Sequence, residues 1–258
     1  MSVSFTVEDR VARVTLDRPD RMNAVDAETE ARLEAIWTEI ERRDDISCVV
    51  LTGSGEKAFC AGADLKGGSG SSGVDYWTVG RESGFGGLAF RRSLDVPVVA
   101  RVNGYALGGG FEMVLGCDIV IAVETARFGL PEARVGRMPL DGGMVLLQRK
   151  IPFNRAMAVM LTGRQFGAQE MASYGIVNEV VSAGELDAAV DRWVADIVAC
   201  APLSLRAIKQ TVNRTAHLSP AEAQALRTPA LIKALKSEDA MEGVSAFREK
   251  RAPVWRGR

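Results

Sequence analysis

Chemistry in this 258-residue chain can be concentrated in two glycine-rich turns and two glutamates. The first turn is Lys57-Ala58-Phe59-Cys60-Ala61-Gly62-Ala63-Asp64-Leu65-Lys66; the second is Asn103-Gly104-Tyr105-Ala106-Leu107-Gly108-Gly109-Gly110-Phe111-Glu112. Each follows a short apolar run. Small residues let backbone approach a ligand closely. A helix that opens on glycines offers unpaired N–H groups, with its dipole favouring negative charge. Neither turn has the G-x-G-x-x-G or G-x-x-x-x-G-K-[ST] spacing, which argues against dinucleotide and P-loop sites. Two such turns on neighbouring strands can instead aim two N–H groups at one carbonyl oxygen, forming an oxyanion hole. Asp64 is placed to cap a following helix.

Most glutamates are solvated, and that remains the alternative for both candidates. Against it, Glu112 runs into Met113-Val114-Leu115, and Glu132 follows Pro131, which suits the first turn of a helix. Two carboxylates beside an oxyanion hole could hold a water and exchange a proton with carbon.

Composition narrows the alternatives. A single histidine, His217, excludes a multi-imidazole zinc site and leaves no other residue for a Ser-His-Asp triad. Its polar surroundings predict a surface position. Cys48, Cys60, Cys117 and Cys200 form no C-x-x-C pair, so thiols in a reducing compartment are expected, with no metal and no disulfide. A formal charge of −1 gives no field that would attract nucleic acid or an anionic membrane. No apolar stretch is long enough to span a bilayer and the N-terminus lacks a signal pattern, so a soluble, cytoplasmic chain is expected.

The elements that would position these groups read as follows. Val3, Phe5, Val7 and then Val11, Val14, Leu16 alternate on either side of Glu8-Asp9-Arg10, predicting a hairpin. Leu33, Ile36, Trp37 and Ile40 predict an amphipathic helix from about Asp26. Residues 46–51, 97–102 and 118–123 read as buried parallel strands. A short helix ends near Gly116. Residues 67–87, rich in Gly and Ser, read as a mobile loop, although a loop of this length is often a functional wall. Beyond about residue 140 the chain turns mainly helical. Ser219-Pro220-Ala221-Glu222 is a helix start, and a last helix spans about 240–250. The class is α/β.

Several motifs in order resemble the crotonase superfamily, the enoyl-CoA hydratase/isomerase family. They are Leu16-Asp17-Arg18-Pro19 with Asn23-Ala24, Ala61-Gly62-Ala63-Asp64, residues 103–110, Phe128-Gly129-Leu130-Pro131-Glu132, Leu161-Thr162-Gly163-Arg164, Gly175-Ile176-Val177-Asn178 and the closing 242–251 segment. The resemblance implies a spiral of ββα units over residues 1–200. It also implies a C-terminal helical region, 201–258, that mediates trimerisation, often stacked into a hexamer, and closes the active site. It makes the N–H groups of Ala63 and Gly109 the holders of a thioester oxygen. Glu112 would activate water and Glu132 would serve Cα, adding water reversibly to an enoyl-CoA. The acyl-CoA thioester is then the substrate, and no separate cofactor is implied. Met22 falls where the family lines the pantetheine passage. The backbone of Ala61 and Gly62 falls beside the adenine, and Asp64 falls among the CoA-binding positions. Lys57 and Lys66 would approach the CoA phosphates and adenine. Phe247 and Lys250 resemble C-terminal residues that close the pocket or contact CoA, in some members from a neighbouring subunit.

Two departures stand out. Arg137 replaces an apolar residue of the family pattern, and Leu140 stands where many hydratases place a glycine that seats water. Several stretches, including Gly84-Phe85-Gly86-Gly87-Leu88 and residues 253–258, resemble the carnitinyl-CoA dehydratase branch. A cationic acyl group there would want an aromatic or acidic wall, which Tyr76, Trp77 and Phe85 could supply. Double-bond isomerisation, thioester hydrolysis and non-catalytic acyl-CoA binding are the rival classes.

Overall fold

The computed structural model describes residues 2–64 and 73–258. The chain opens with strands β1 (Val3–Glu8) and β2 (Val11–Leu16), paired antiparallel with Glu8 opposite Val11. Asp9 and Arg10 both have positive φ, as a tight two-residue hairpin turn requires. Helix α1 (Ala27–Arg42) is capped by Asp26, whose carboxylate accepts the Thr29 N–H at 2.9 Å. The apolar stripe of the sequence reading is its buried face: Leu33, Ile36, Trp37 and Ile40 are all fully buried.

Three long-strand, short-strand pairs then follow. They are β3 (Cys48–Gly53) with β4 (Ala58–Cys60), β5 (Val98–Val102) with β6 (Tyr105–Leu107), and β7 (Ile119–Val123) with β8 (Arg127–Gly129). With β9 (Phe166–Gly167) and β10 (Glu179–Val181) they make two sheets, ordered β1-β2-β3-β5-β7-β10 and β4-β6-β8-β9. The β2-β3-β5-β7-β10 neighbours are parallel, as are β4-β6-β8. Each turn of the spiral thus adds one strand to both sheets in the same order. The long strands are apolar runs because both of their faces are covered. The short ones carry too few residues to show a period in sequence.

Buried asparagines brace the turns between the sheets. Asn23 Nδ2 donates to the carbonyls of Ser54 (3.0 Å) and Ala58 (2.7 Å). Asn103 Nδ2 donates to those of Gly53 (2.8 Å) and Gly55 (2.7 Å). Leaving buried main-chain carbonyls unpaired in the interior is costly, and the asparagine amides supply donors for them.

The reading of 67–87 as a mobile loop is corrected over its described part. Helix α2 (Gly73–Thr78) and a 3-10 turn (Phe85–Gly87) form there. Trp37 Nε1 donates to the Gly86 carbonyl at 2.7 Å. Gly86, at φ +62°, sits so close to Met113 that a Cβ would lie 2.3 Å from its sulfur. Gly84, Gly86 and Gly87 are there for close packing, whereas Gly80 faces open space.

The remaining helices are α3 (Gly109–Gly116), α4 (Gly143–Lys150), α5 (Phe153–Thr162), α6 (Ala168–Tyr174) and α7 (Leu186–Val198). After them come α8 (Pro202–Thr215), α9 (Pro220–Ala225), α10 (Pro229–Leu235) and α11 (Glu238–Glu249). Ser219 and Glu222 form the expected capping box. Helix α11 begins earlier than the sequence reading because Ser237 caps it by accepting the Ala240 N–H. His217 is exposed, and Cys48, Cys60, Cys117 and Cys200 are unpaired. No described helix is long and apolar enough to cross a membrane.

Candidate active site

The glycine turns become adjacent because their strands pair: β4 lies parallel to β6, with Ala58 opposite Tyr105 and Cys60 opposite Ala106. The chain leaving β4 then passes the start of α3. A Cβ on Gly62 would lie 3.2 Å from the Gly109 nitrogen, and one on Gly110 would lie 2.1 Å from the Cys60 carbonyl oxygen. Only glycines allow this approach. Ala63 pairs with Val25 in an isolated parallel bridge, where Val25 N–H donates to Gly62 and Asp64 N–H donates to Val25, both at 2.9 Å. That pattern leaves the Ala63 N–H facing away from Val25. Gly109 opens α3, so its N–H has no helical partner. Among the described residues neither N–H donates to a turn, loop or cap acceptor.

Glu112 stands on the first turn of α3, where Gly108 accepts its N–H at 3.0 Å. It is only 3% exposed. Its Oε1 accepts two backbone N–H groups, from Asp141 (3.0 Å) and Gly143 (2.8 Å), at the start of α4. Burial outweighs these bonds. It pushes the Glu112 carboxyl up to about 8, with the Asp141 and Glu132 charges adding to the rise and the Gly143 and Asp141 N–H groups opposing it.

Glu132 follows β8 in a 3-10 turn, Pro131–Val135, rather than an α-helix. The turn closes on Gly136 in the left-handed region, and the Arg137 N–H donates to the Glu132 carbonyl at 2.9 Å. The Glu132 Oε2 is buried and has no hydrogen-bond partner. Burial raises its pKa as well. Its Oε1 lies 2.8 Å from where a Gly108 Cβ would be. The Glu132 carboxylate and the Glu112 main-chain N–H therefore both meet Gly108, the residue just before Gly109. An orphaned buried carboxylate oxygen is costly and points to a partner supplied by ligand or water.

Gly108 has φ +55°. A Gly108→Ala variant meets two obstacles: backbone strain of about 1–3 kcal/mol and a Cβ against Glu132. The carboxylate is the movable end of a flexible side chain, so it yields. Melting temperature is expected to fall by only several degrees, while turnover falls far more because Glu132 is displaced. Wild-type turnover in a folded Gly108→Ala protein would show that the position of Glu132 is immaterial.

The other sequence candidates distribute as follows. Met22, half-buried at φ +54°, accepts the Ala61 N–H at 3.0 Å, which ties it to the first glycine turn. The Asp64 carboxylate pairs with Arg18 at 3.0 Å, a partner that sequence spacing did not suggest. Lys57 is exposed at the turn before β4. Lys66 lies outside the described residues. Leu140 is half-buried, directly before Asp141, whereas Arg137 is exposed. Phe247, 86% exposed, and Lys250 lie at the end of α11, and no side-chain hydrogen bond or ion pair among the described residues joins Lys250 to the site. Of the aromatic wall, Trp77 is 61% exposed and Phe85 is buried. A Cβ on Gly109 would meet the Phe85 ring at 2.5 Å, so Phe85 serves to seat that glycine. Tyr76 instead donates its hydroxyl to Asp141, an acid the sequence reading had passed over.

Geometry of this kind has close parallels. The carnitinyl-CoA dehydratase of Proteus mirabilis is 38% identical over 261 residues, covering 100% of this chain and 99% of that protein. The crystal structure of enoyl-CoA hydratase from Bacillus anthracis superposes with a TM-score of 0.91 at 32% identity, covering 100% of both chains. That of enoyl-CoA hydratase from Mycobacterium tuberculosis does so with a TM-score of 0.89 at 32% identity, covering 100% of this chain and 99% of that one. The sequence model of the family described as enoyl-CoA hydratase/isomerase matches residues 6–258. With the spiral of ββα units that the resemblance implied, these matches establish that the chain belongs to the crotonase-fold enoyl-CoA hydratase/isomerase family.

Proposed function

We propose that this chain is a hydro-lyase that adds water reversibly across the α,β double bond of an enoyl-CoA thioester. The observation that carries this reading is the pair of carboxylates at the start of α3: Glu112, buried on its first turn and within reach of the Glu132 charge, and Glu132, whose Oε1 lies against Gly108, beside the Gly109 N–H that no helical bond uses. The N–H groups of Ala63 and Gly109 hold the thioester oxygen and stabilise the enolate; one such donor is typically worth about 3 kcal/mol of barrier. In hydration, ionised Glu112 takes a proton from water as its oxygen bonds to Cβ. The double-bond electrons move onto the thioester oxygen. Protonated Glu132 then delivers a proton to Cα as the carbonyl re-forms. Dehydration runs these steps backwards.

Burial raises both carboxyls, Glu112 to about 8. A Glu112 that keeps its proton near neutral pH can give it to the departing hydroxyl of a 3-hydroxyacyl-CoA while Glu132 takes the Cα proton. This supports the dehydration sense named for the Proteus relative. A carnitinyl-type acyl group is therefore the second substrate to test, with Tyr76 and Asp141 as an aromatic and an acidic group linked to Glu112 through the Asp141 N–H. CoA enters as part of the substrate, and no metal or redox group takes part.

Exposed apolar residues on the C-terminal helices, among them Ile208, Val212, Leu235, Met241 and Phe247, support assembly as a homotrimer or a pair of trimers. In that assembly Phe247 and Lys250 reach a neighbouring subunit's pocket.

The test is a panel of crotonyl-CoA, crotonobetainyl-CoA and their 3-hydroxy counterparts, followed by enoyl absorbance and product mass. Gain or loss of one water is expected. Product of unchanged mass would reassign the chain to isomerisation, and free CoA thiol to hydrolysis. Tight binding without turnover would leave a binding protein.

A further inference from the structure

The groups that hold Glu112 reach well beyond the two glutamates. Its Oε1 hangs on the N–H groups of Asp141 and Gly143. Asp141 is itself buried, 8% exposed, and its Oδ2 accepts the hydroxyl of Tyr76 from α2. The Arg81 guanidinium lies 4.3 Å from the Tyr76 ring centre and pairs with Glu30 of α1. On the opposite side, the backbone at Gly84 packs so closely that a Cβ there would lie 2.8 Å from the Asp141 carbonyl oxygen. Asp141 is thus clamped between α2 and the start of α4, with its N–H turned to one catalytic candidate and its carboxylate to a phenol.

We propose that Tyr76 and Asp141 are a positioning pair for Glu112, through which the docking of α2 sets the orientation and proton state of that carboxyl. The proposal rests on the reading of Glu112 as a reacting acid. A buried carboxylate held by a neutral phenol is an expensive way merely to brace a turn, since an asparagine would accept the same bond without carrying charge inward. The nearby cation, Arg81, pairs with Glu30 and lies over the Tyr76 ring. Among the described residues the charged groups around the two acids are Glu132 and Asp141 facing Glu112, Arg81 facing Asp141, and Glu30 beside Arg81. Burial raises the Asp141 carboxyl, the Tyr76 hydroxyl and the Arg81 charge oppose that rise, and whatever charge Asp141 carries disfavours ionised Glu112. Removing either group should therefore make Glu112 more acidic.

The experiment reads Glu112 directly and needs no turnover. The infrared carbonyl stretch of protonated Glu112 is isolated as the difference between wild type and Glu112→Gln, then titrated. In Asp141→Asn the same band, referenced to Asp141→Asn/Glu112→Gln, is expected to disappear at a pH lower by about half to one unit. Tyr76→Phe, a gentler change on a half-exposed helix, is expected to shift it the same way by less. The two changes together should shift it no further than Asp141→Asn alone. Alongside, Tyr76→Phe should lower kcat by about tenfold or more with KM little changed, as expected when a reacting group is misplaced. An unshifted band in either folded single variant, or additive shifts, overturns the pairing. Should Asp141→Asn not fold, the Tyr76→Phe titration decides alone. Full turnover in Glu112→Gln would instead overturn the catalytic reading, with the band titration still deciding whether the pair acts on Glu112.

Discussion

Glu132→Gln is expected to lower kcat by about 10²- to 10⁴-fold, the scale of a lost general acid–base, with little change in KM for the CoA thioester. The substitution keeps the shape that fits beside Gly108 and removes the ionisation. Glu132 Oε2 has no hydrogen-bond partner among the described residues, so no bond to that oxygen braces the structure there. Its loss should leave melting temperature near the wild-type value. In deuterated water, exchange of the Cα proton should fall with turnover, because Glu132 serves that carbon. The double variant Glu112→Gln/Glu132→Gln should be scarcely slower than the worse single variant, since acids working on one water fail together. Turnover within a few-fold of wild type for Glu132→Gln would sink the two-acid mechanism.

A second large effect is expected in stability. The Glu112 carboxyl is raised from the ordinary 4.5 to about 8, chiefly by burial. The folded state therefore binds a proton there more tightly than the unfolded chain does. That contribution to stability is complete below about pH 4.5 and is lost as pH rises toward 8. Above that range the wild-type protein carries a buried carboxylate that only two N–H groups offset. Glu112→Gln keeps an acceptor oxygen for Asp141 and Gly143 without the charge. It should melt higher than wild type at pH 9, by roughly 5–10 °C for a difference of several kcal/mol in a chain of this size. The gap should narrow toward pH 5. A difference of equal size at pH 5 and pH 9 would show that ionisation of Glu112 does not strain the fold. An enzyme that becomes more stable on losing a reacting acid has that strain concentrated in its active site.

The long, buried elements were legible because their burial is written as a pattern. Leu33, Ile36, Trp37 and Ile40 mark one helical face, and Cys48–Gly53 and Val98–Val102 are apolar runs between turns. The second sheet was not legible: Ala58–Cys60, Tyr105–Leu107 and Arg127–Gly129 are too short to carry a period, and the first two were read as parts of the turns they brace. Glu112 and the paired glycine turns were readable from residue type beside apolar or small neighbours. Asp141 was not, because it lies next to Gly142-Gly143 in what reads as an ordinary helix start. Its importance comes from Tyr76, 65 positions away. Arg18 with Asp64, 46 positions apart, was hidden for the same reason. Contacts that depend on how the spiral closes leave no local trace.

The division of labour between the sheets bears on how such a site could change over time. The proposed thioester grip is made of main chain, placed by the register of β4 against β6 and guarded by Gly62 and Gly110, where a side chain would strike backbone. The proposed reacting acids are side chains on a helix turn and a 3-10 turn that border the grip without building it. On that proposal a single nucleotide change can exchange an acid, and with it the reaction, without disturbing the hold on the coenzyme handle. The investment in backbone geometry is one that selection cannot easily revise, and the chemistry is left to a few positions that it can. A scaffold divided in this way can accumulate new reactions as a lineage, each inheriting the same grip on its substrate.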